Sequence, residues 1–482
     1  MLLKRDPASP VPAEEAFRTA IAIARQQAAR SFELRAAHAL ANLYQSTVRP
    51  ADAHAVLAPA LEGFARTPEM PEIAEAQALL ATLADTGEVK VAITQRERRL
   101  HLQRAYGQAM MWSKGYAAEE TRAAFTRVRE LASGTENAAE RFPAYYARWV
   151  RSHFRGEHRQ ARGTAKAFFR EAEDGGYVTE VGVARRCLGL TCLNQGDLME
   201  ARTLLERALA DYQPNRDAEA MFHFGLDSGV AAAAWLAIAT WHLGEVKRAW
   251  QLAEQAVRSA AELGHVPSRA QAYFVKTVLE TNCGDPTAAL RSAETLLALA
   301  REHGMDNWIA LGEVYAAWAR TRLDDPEAAA QALRRAVAGH FSQGNRNLAP
   351  LFHGWLAELE AAARGPDAAL TLIDQGLAIA EETGERLAES YLHRLRGATL
   401  LKRDPESHAP AEQSFQTAMA IAKRQSARSY ELLASLALAK LYESTDRPSD
   451  ACAVLGPALD GFSPTPEIPE IAEAISLIER LA

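Results

Sequence analysis

Cysteine is scarce in this chain of 482 residues, with only Cys187, Cys192, Cys283 and Cys452. Four thiols are too few for a disulfide scaffold and suit a reducing compartment. Positive charge is not in excess either: 54 Lys and Arg against 61 Asp and Glu leave a net charge of −7. That balance argues against a nucleic-acid binder, which needs clustered cations to neutralise phosphates. Long apolar runs are missing, and the nearest to one, Gly229–Trp241 ("GVAAAAWLAIATW"), is too short to cross a bilayer and reads as a buried helix. Met1–Asp6 meets charge at Lys4 and Arg5 with no apolar stretch behind it, so no secretory leader is expected. Together these absences point to a cytoplasmic protein with neither membrane nor nucleic-acid partner.

Catalytic patterns are equally thin. The 13 histidines form no H-E-x-x-H, and Cys187 and Cys192 are spaced too widely for a C-x-x-C metal pair. No G-x-S-x-G elbow occurs, and paired carboxylates such as "AEE" and "EET" fall on polar helical faces. The expectation is a non-enzyme with no catalytic, metal or cofactor-binding residues.

What is present is a period. Turns such as "QGDLMEA", "LGEVKRA", "CGDPTAA" and "LDDPEAA" each lead through a small residue into a helical pattern. The alanine in this context falls at Ala161, Ala201, Ala249, Ala289, Ala329 and Ala369, every step being 40 residues except the 48 between Ala201 and Ala249. "LMEARTLLERALADY" places Leu198, Ala201, Leu204, Leu205, Ala208 and Leu209 on one helical face. Pro286, Pro326 and Pro366 stand where a helix can begin, since a missing N–H is harmless there. Two helices joined by a tight turn must approach closely, and alanine permits it. A lone hairpin cannot hide its apolar face, so neighbours stack. The fold class predicted is all-α: a TPR-like α-solenoid of about nine antiparallel hairpins in a right-handed superhelix, with a unit longer than the usual tetratricopeptide of about 34 residues.

The two ends are copies. Leu2–Ala84 aligned with Leu400–Ala482 gives 54 identities in 83 positions without a gap. The chain therefore divides into an N-terminal unit (1–84), a central array (85–399) and a C-terminal unit with a capping helix (400–482). The C-terminal copy is preceded by "RLAESYLHRLRGATLLKRD", a helix to pair with; the N-terminal copy keeps only "LLKRD" of it. The stripe Phe17, Ala20, Ile21 and Ala24 must then be covered from elsewhere or stay exposed. Phe17 and Ile21 are accordingly candidates for self-association into a homo-oligomer.

The stretches "RERRLHLQRAYGQAMMWSKGYAAEETRAAFTRVREL" (96–131), "FHFGLDSGVAAAAWLAIATWHLGEVKRA" (222–249) and "GERLAESYLHRLRGATLL" (384–401), running into 411–441, carry a resemblance. In order and register they resemble the TPR-like C-terminal half of large bacterial proteins that join a class III adenylate/guanylate cyclase domain, or another signalling domain, to a predicted STAND-type ATPase. The chain has no G-x-x-x-x-G-K-[ST] and no paired cyclase aspartates in a βαββαβ setting. The resemblance thus implies a sensing or docking arm without the relatives' catalysis.

Three features stand out for binding. Arg141–Arg170 is basic and interleaved with Tyr145, Tyr146, Trp149 and Phe154, so that Tyr146, Trp149 and Arg151 can hold an acidic peptide, a nucleotide or a phosphorylated ligand, or else form core and outer face. The insertion that breaks the period, within 211–230, brings His223 and Asp227 ahead of the helix of Trp235, as a binding rim or as an N-cap and core. All eight tryptophans lie between residues 112 and 355, and Trp235, Trp308 and Trp318 fall on first helices of hairpins, which line the concave wall or fill the core. The expected function is a non-catalytic scaffold that holds a peptide or protein segment in this groove, in bacterial signalling or regulation. The alternative is a sensor whose groove closes on a metabolite and controls assembly.

Overall fold

In the computed structural model the residues described are 11–27, 29–62, 64, 71–84, 119–132, 141–323, 326–462 and 468–481, with short pieces between 95 and 110. Among them there are helices and turns and no strand. No helix among them is long and apolar enough to cross a membrane. The chain forms two compact units, one of residues 1–107 and 123–141, the other of residues 108–122 and 142–482. The C-terminal copy of the duplication thus belongs to the same unit as the central array.

Unit 1 contains α1 (Val11–Gln26), α2 (Arg30–Ser46), α3 (Pro50–Leu61) and α4 (Pro71–Ala84). Ile21, Leu34, Leu40, Tyr44, Leu57 and Leu83 make its core, with Phe17 packed at the margin. A further helix, α5, spans Glu119–Ala132.

Unit 2 is built from hairpins in chain order. They pair α6 (Phe142–Phe154) with α7 (His158–Asp174) and α8 (Val178–Asn194) with α9 (Leu198–Asp211). After the short α10 (Pro214–Asp217) and α11 (Ala220–Phe224) come α12 (Ser228–His242) with α13 (Val246–Leu263), and α14 (Val266–Asn282) with α15 (Pro286–Glu302). Next are α16 (Asp306–Arg320) with α17 (Pro326–Ser342), α18 (Ala349–Ala363) with α19 (Pro366–Thr383), and α20 (Glu389–Arg403) with α21 (His408–Gln425). The last hairpin, α22 (Arg428–Ser444) with α23 (Pro448–Leu459), is closed by α24 (Pro469–Leu481), which buries Ile471, Ala474 and Leu477.

The forty-residue alanines are buried within their hairpins. Ala161, Ala201, Ala249, Ala289 and Ala369 are all 0% exposed, so a larger side chain at any of them would push its hairpin apart. The turns obey the same period: Gly196 and Gly284 adopt φ of 77° and 71°, the left-handed region where a Cβ is strained, and reverse the chain within three residues. Asp285 then caps α15 by accepting from the Ala288 N–H at 2.9 Å.

The duplication holds bond by bond. Tyr44 donates to Glu14 at 2.9 Å and Tyr442 to Glu412 at 2.8 Å. Arg49 Nη1 reaches Glu14 at 2.9 Å and stacks over Tyr44; Arg447 repeats this with Glu412 at 3.0 Å and Tyr442. A constraint shared at this level explains why both copies retain these residues.

Candidate functional site

The first helices of the unit 2 hairpins all run the same way, so their C-terminal ends gather on one side. The carbonyls at such ends have no partner within their own helix. Here the partners come from hairpins much later in the chain. Phe154 O accepts from the N–H groups of Arg346 (2.7 Å) and Asn347 (3.2 Å), and Asn194 O from those of Arg386 (2.8 Å) and Leu387 (3.2 Å). Trp241 O accepts from Ser429 Oγ at 2.6 Å. The later helices therefore begin where the earlier ones end, and unit 2 winds through a full turn with its second turn seated on the first.

One buried carboxylate fastens this seam. Both oxygens of Glu385 accept from the Leu348 N–H, at 2.9 and 3.1 Å, and Oε2 lies 3.2 Å from His158 Nε2. Leu348 sits at φ 63°, unusual for a residue with a Cβ, and Glu385 holds its N–H there.

Between the turns lies a cavity enclosing about 810 Å³, the solvent at its mouth included. Helices α6, α8, α12 and α14 line it with His153, Asn194, Trp235, His242, Phe274 and Asn282. Trp308, Leu311 and Tyr315 of α16 form a side, and Asn347, Leu348, Glu385, Leu387 and Tyr430 the roof. The rings interlock: Tyr430 packs edge-on against His242 at 4.8 Å, and Phe274 against Trp308 at 5.6 Å and Tyr315 at 5.4 Å.

Burial sets the electrostatics. It pushes His153 and His242 down to about 3, with the neighbouring His158 adding to the effect on His153, so both imidazoles are neutral near pH 7. Burial also raises the Tyr315 hydroxyl, and Tyr430 and Glu385 raise it further. Trp235 Nε1, Trp308 Nε1 and Tyr315 Oη have no hydrogen-bond partner among the described residues. The lining is thus aromatic, almost uncharged, and carries hydrogen-bonding capacity that the polypeptide leaves unused.

Of the residues singled out in the sequence, Trp235 and Trp308 line this cavity. Trp149 lies behind it, stacked on His153 at 5.3 Å with its Nε1 donating to Thr191 at 2.9 Å. Tyr146 is buried against Trp149 and Phe224. Trp318 is buried elsewhere, tilted against Trp355 with Arg322 over its ring. Arg151 is partly exposed, 4.0 Å from Glu157. Asp227 caps α12 through the Val230 N–H at 2.8 Å and accepts from the Tyr212 hydroxyl at 2.7 Å, while His223 is exposed beside it on α11. Phe17 and Ile21 belong to the core margin and core of unit 1. His153, Asn194, His242, Phe274, Tyr315, Asn347, Glu385 and Tyr430 were not picked out by sequence.

Arg186 is the other unusual group. It is 1% exposed, its guanidinium lies 5.6 Å from the Tyr146 ring, and its Nε and Nη2 have no hydrogen-bond partner. The nearby Asp227 has its oxygens committed to Val230 and Tyr212. Tyr146, through a hydrogen bond and its ring, and Asp227 nonetheless favour the charged form enough to outweigh its burial. Among the described residues one cluster has metal-ligating atoms in reach, Cys192, Asp197 and Glu200. Arg162 bridges both of its carboxylates, which offsets part of their charge.

No protein-family model matches the chain, and no curated protein matches it in sequence. Solved structures do match. A Rap protein complexed with competence and sporulation factor is 13% identical and superposes with a TM-score of 0.52 over 80% of this chain and 99% of that one. A STAND protein with a tetratricopeptide repeat sensor from Pyrococcus horikoshii is 14% identical, with a TM-score of 0.38 over 76% of this chain and 55% of that one. The Cut9–Hcn1 assembly of the APC/C gives 11% identity and a TM-score of 0.47 over 97% of this chain and 96% of that one. The chain has the TPR-like helical-repeat solenoid fold.

Proposed function

We propose that unit 2 is a non-catalytic binding scaffold that holds a short, largely apolar peptide segment of a protein partner between its two superhelical turns. The observation that carries this reading is the cavity itself, framed by aromatic rings from several hairpins and roofed by the seam. Its lining is mostly apolar and aromatic with a few polar groups among the rings, the make-up of sites that take small ligands or short segments. Neutral His153 and His242 provide no charge for an anion, whereas asparagine side chains such as Asn194 and Asn347 can donate to and accept from a peptide backbone. The Rap structure, solved with a bound factor, supports binding in this fold. The role fits a sensing or docking arm in bacterial signalling, as the resemblance to cyclase- and STAND-linked proteins implies.

The convergence of several aromatic rings on one recess favours a second reading, a metabolite sensor, because such a recess can surround a whole small molecule. A thermal-shift screen of metabolites and a peptide library separates the two, since a ligand of the native state raises the melting temperature by mass action. Val278→Trp, which fills the cavity from α14, is expected to abolish the shift from any true cavity ligand while leaving the helical content unchanged. A ligand whose shift survives Val278→Trp binds elsewhere and refutes the assignment.

A further inference from the structure

The internal duplication shows one helix face twice, once covered and once bare. In the C-terminal copy α20 lies along α21. Phe415 is 2%, Ala418 0% and Ile421 8% exposed. Ser390 Oγ donates to Ala418 O at 2.9 Å, and Gly397 lies so close to Phe415 that a Cβ there would come within 2.6 Å of the ring. The matching residues of α1 are Phe17, Ala20 and Ile23. In unit 1 Phe17 is half-buried, Ala20 exposed and Ile23 48% exposed. Ala16, the counterpart of buried Ser414, is exposed as well. The opposite side of α1 is satisfied, with Ile21 and Ala24 buried within unit 1. The bare stripe is thus the one that, in the other copy, receives α20.

We infer that this α1 face is a docking site for an amphipathic helix supplied in trans with the pattern of α20: a glycine opposite Phe17, a small hydroxyl residue over the Ala20 carbonyl, and apolar residues along Ile23. The α20–α21 interface is the model for the occupant, because α1 keeps the apolar residues that α21 uses to bind it. Helix-in-groove recognition of this kind reads apolar anchors at three- and four-residue spacing, which Ala16, Ala20 and Ile23 provide. The site lies in unit 1 and is independent of the cavity.

The probe is a labelled peptide of residues 385–404 added to the full chain, read by fluorescence anisotropy. Saturable binding is expected, weakened at least about tenfold by Ala20→Arg or Ile23→Glu. Both positions are exposed, so the melting temperature should hold. A peptide carrying Gly397→Phe should not bind, since the ring has no room against Phe17. Absence of saturable binding overturns the inference. So does binding that both variants leave unchanged, which would place the peptide elsewhere. Self-association abolished by Ile23→Glu but undiminished by the peptide overturns it in favour of a second copy as the occupant.

Discussion

Replacing Glu385 with alanine is expected to unfasten the second turn of unit 2 from the first and to destabilise the unit by about 2–5 kcal/mol, the sum for two buried N–H groups left without an acceptor. The carboxylate is 3% exposed and the acceptor for the Leu348 N–H, whose residue holds φ 63°. Without it that N–H and His158 Nε2 are both left without their acceptor in a dry site. Leu348 then has no reason to stay in the left-handed region, and the turn that delivers Arg346 and Asn347 to the Phe154 carbonyl loses its anchor. Amide exchange at Arg346, Asn347, Arg386 and Leu387 should accelerate together, ahead of exchange within α13 or α15. Glu385→Gln keeps an acceptor oxygen and should fall between wild type and Glu385→Ala. Unchanged protection at those four amides in Glu385→Ala would show that the seam does not depend on the carboxylate.

Acid should weaken the protein well before its carboxylates titrate. Burial pushes His153 and His242 down to about 3 and His340 to about 4. Unfolding releases each imidazole to its ordinary value near 6.5, so below that pH the unfolded state takes up protons the folded state refuses. Stability is complete above pH 6.5 and falls as the pH drops toward 4, by about 1.4 kcal/mol per pH unit for each histidine. At pH 5 the loss is about 2 kcal/mol per histidine, a large share of the stability of a typical domain. His242→Phe keeps the aromatic contact with Tyr430 and removes the titration. Urea titrations from pH 7.5 to 4.5 should show a shallower decline for this variant, and identical slopes would rule out the mechanism.

The repeat was legible because its determinants are local. An alanine every 40 residues marks a buried position within a hairpin, a glycine marks the turn before it, and a proline or aspartate marks the helix start. The duplication too was plain, and its shared Glu–Tyr–Arg constellation shows what it preserves. The cavity was not, because it exists only through contacts such as Phe154 with Arg346 and Trp241 with Ser429. Residues that meet after a whole superhelical turn leave no spacing signal. His153, His242 and Tyr430 look like ordinary helix residues until the turns stack. Asp227 shows the converse: a conspicuous residue in a conspicuous insertion, bonded as a helix cap.

Ordinary repeat arrays tolerate duplication or loss of a unit, since each module touches only its neighbours. The seam withdraws that freedom here. Deleting one hairpin between Phe154 and Arg346 would slide each later helix start past the carbonyl it now meets and bring Glu385 beside the wrong partner. Module number in this stretch is therefore fixed by closure, and evolutionary growth is confined to the ends, where a copied segment could be added without disturbing the register inside.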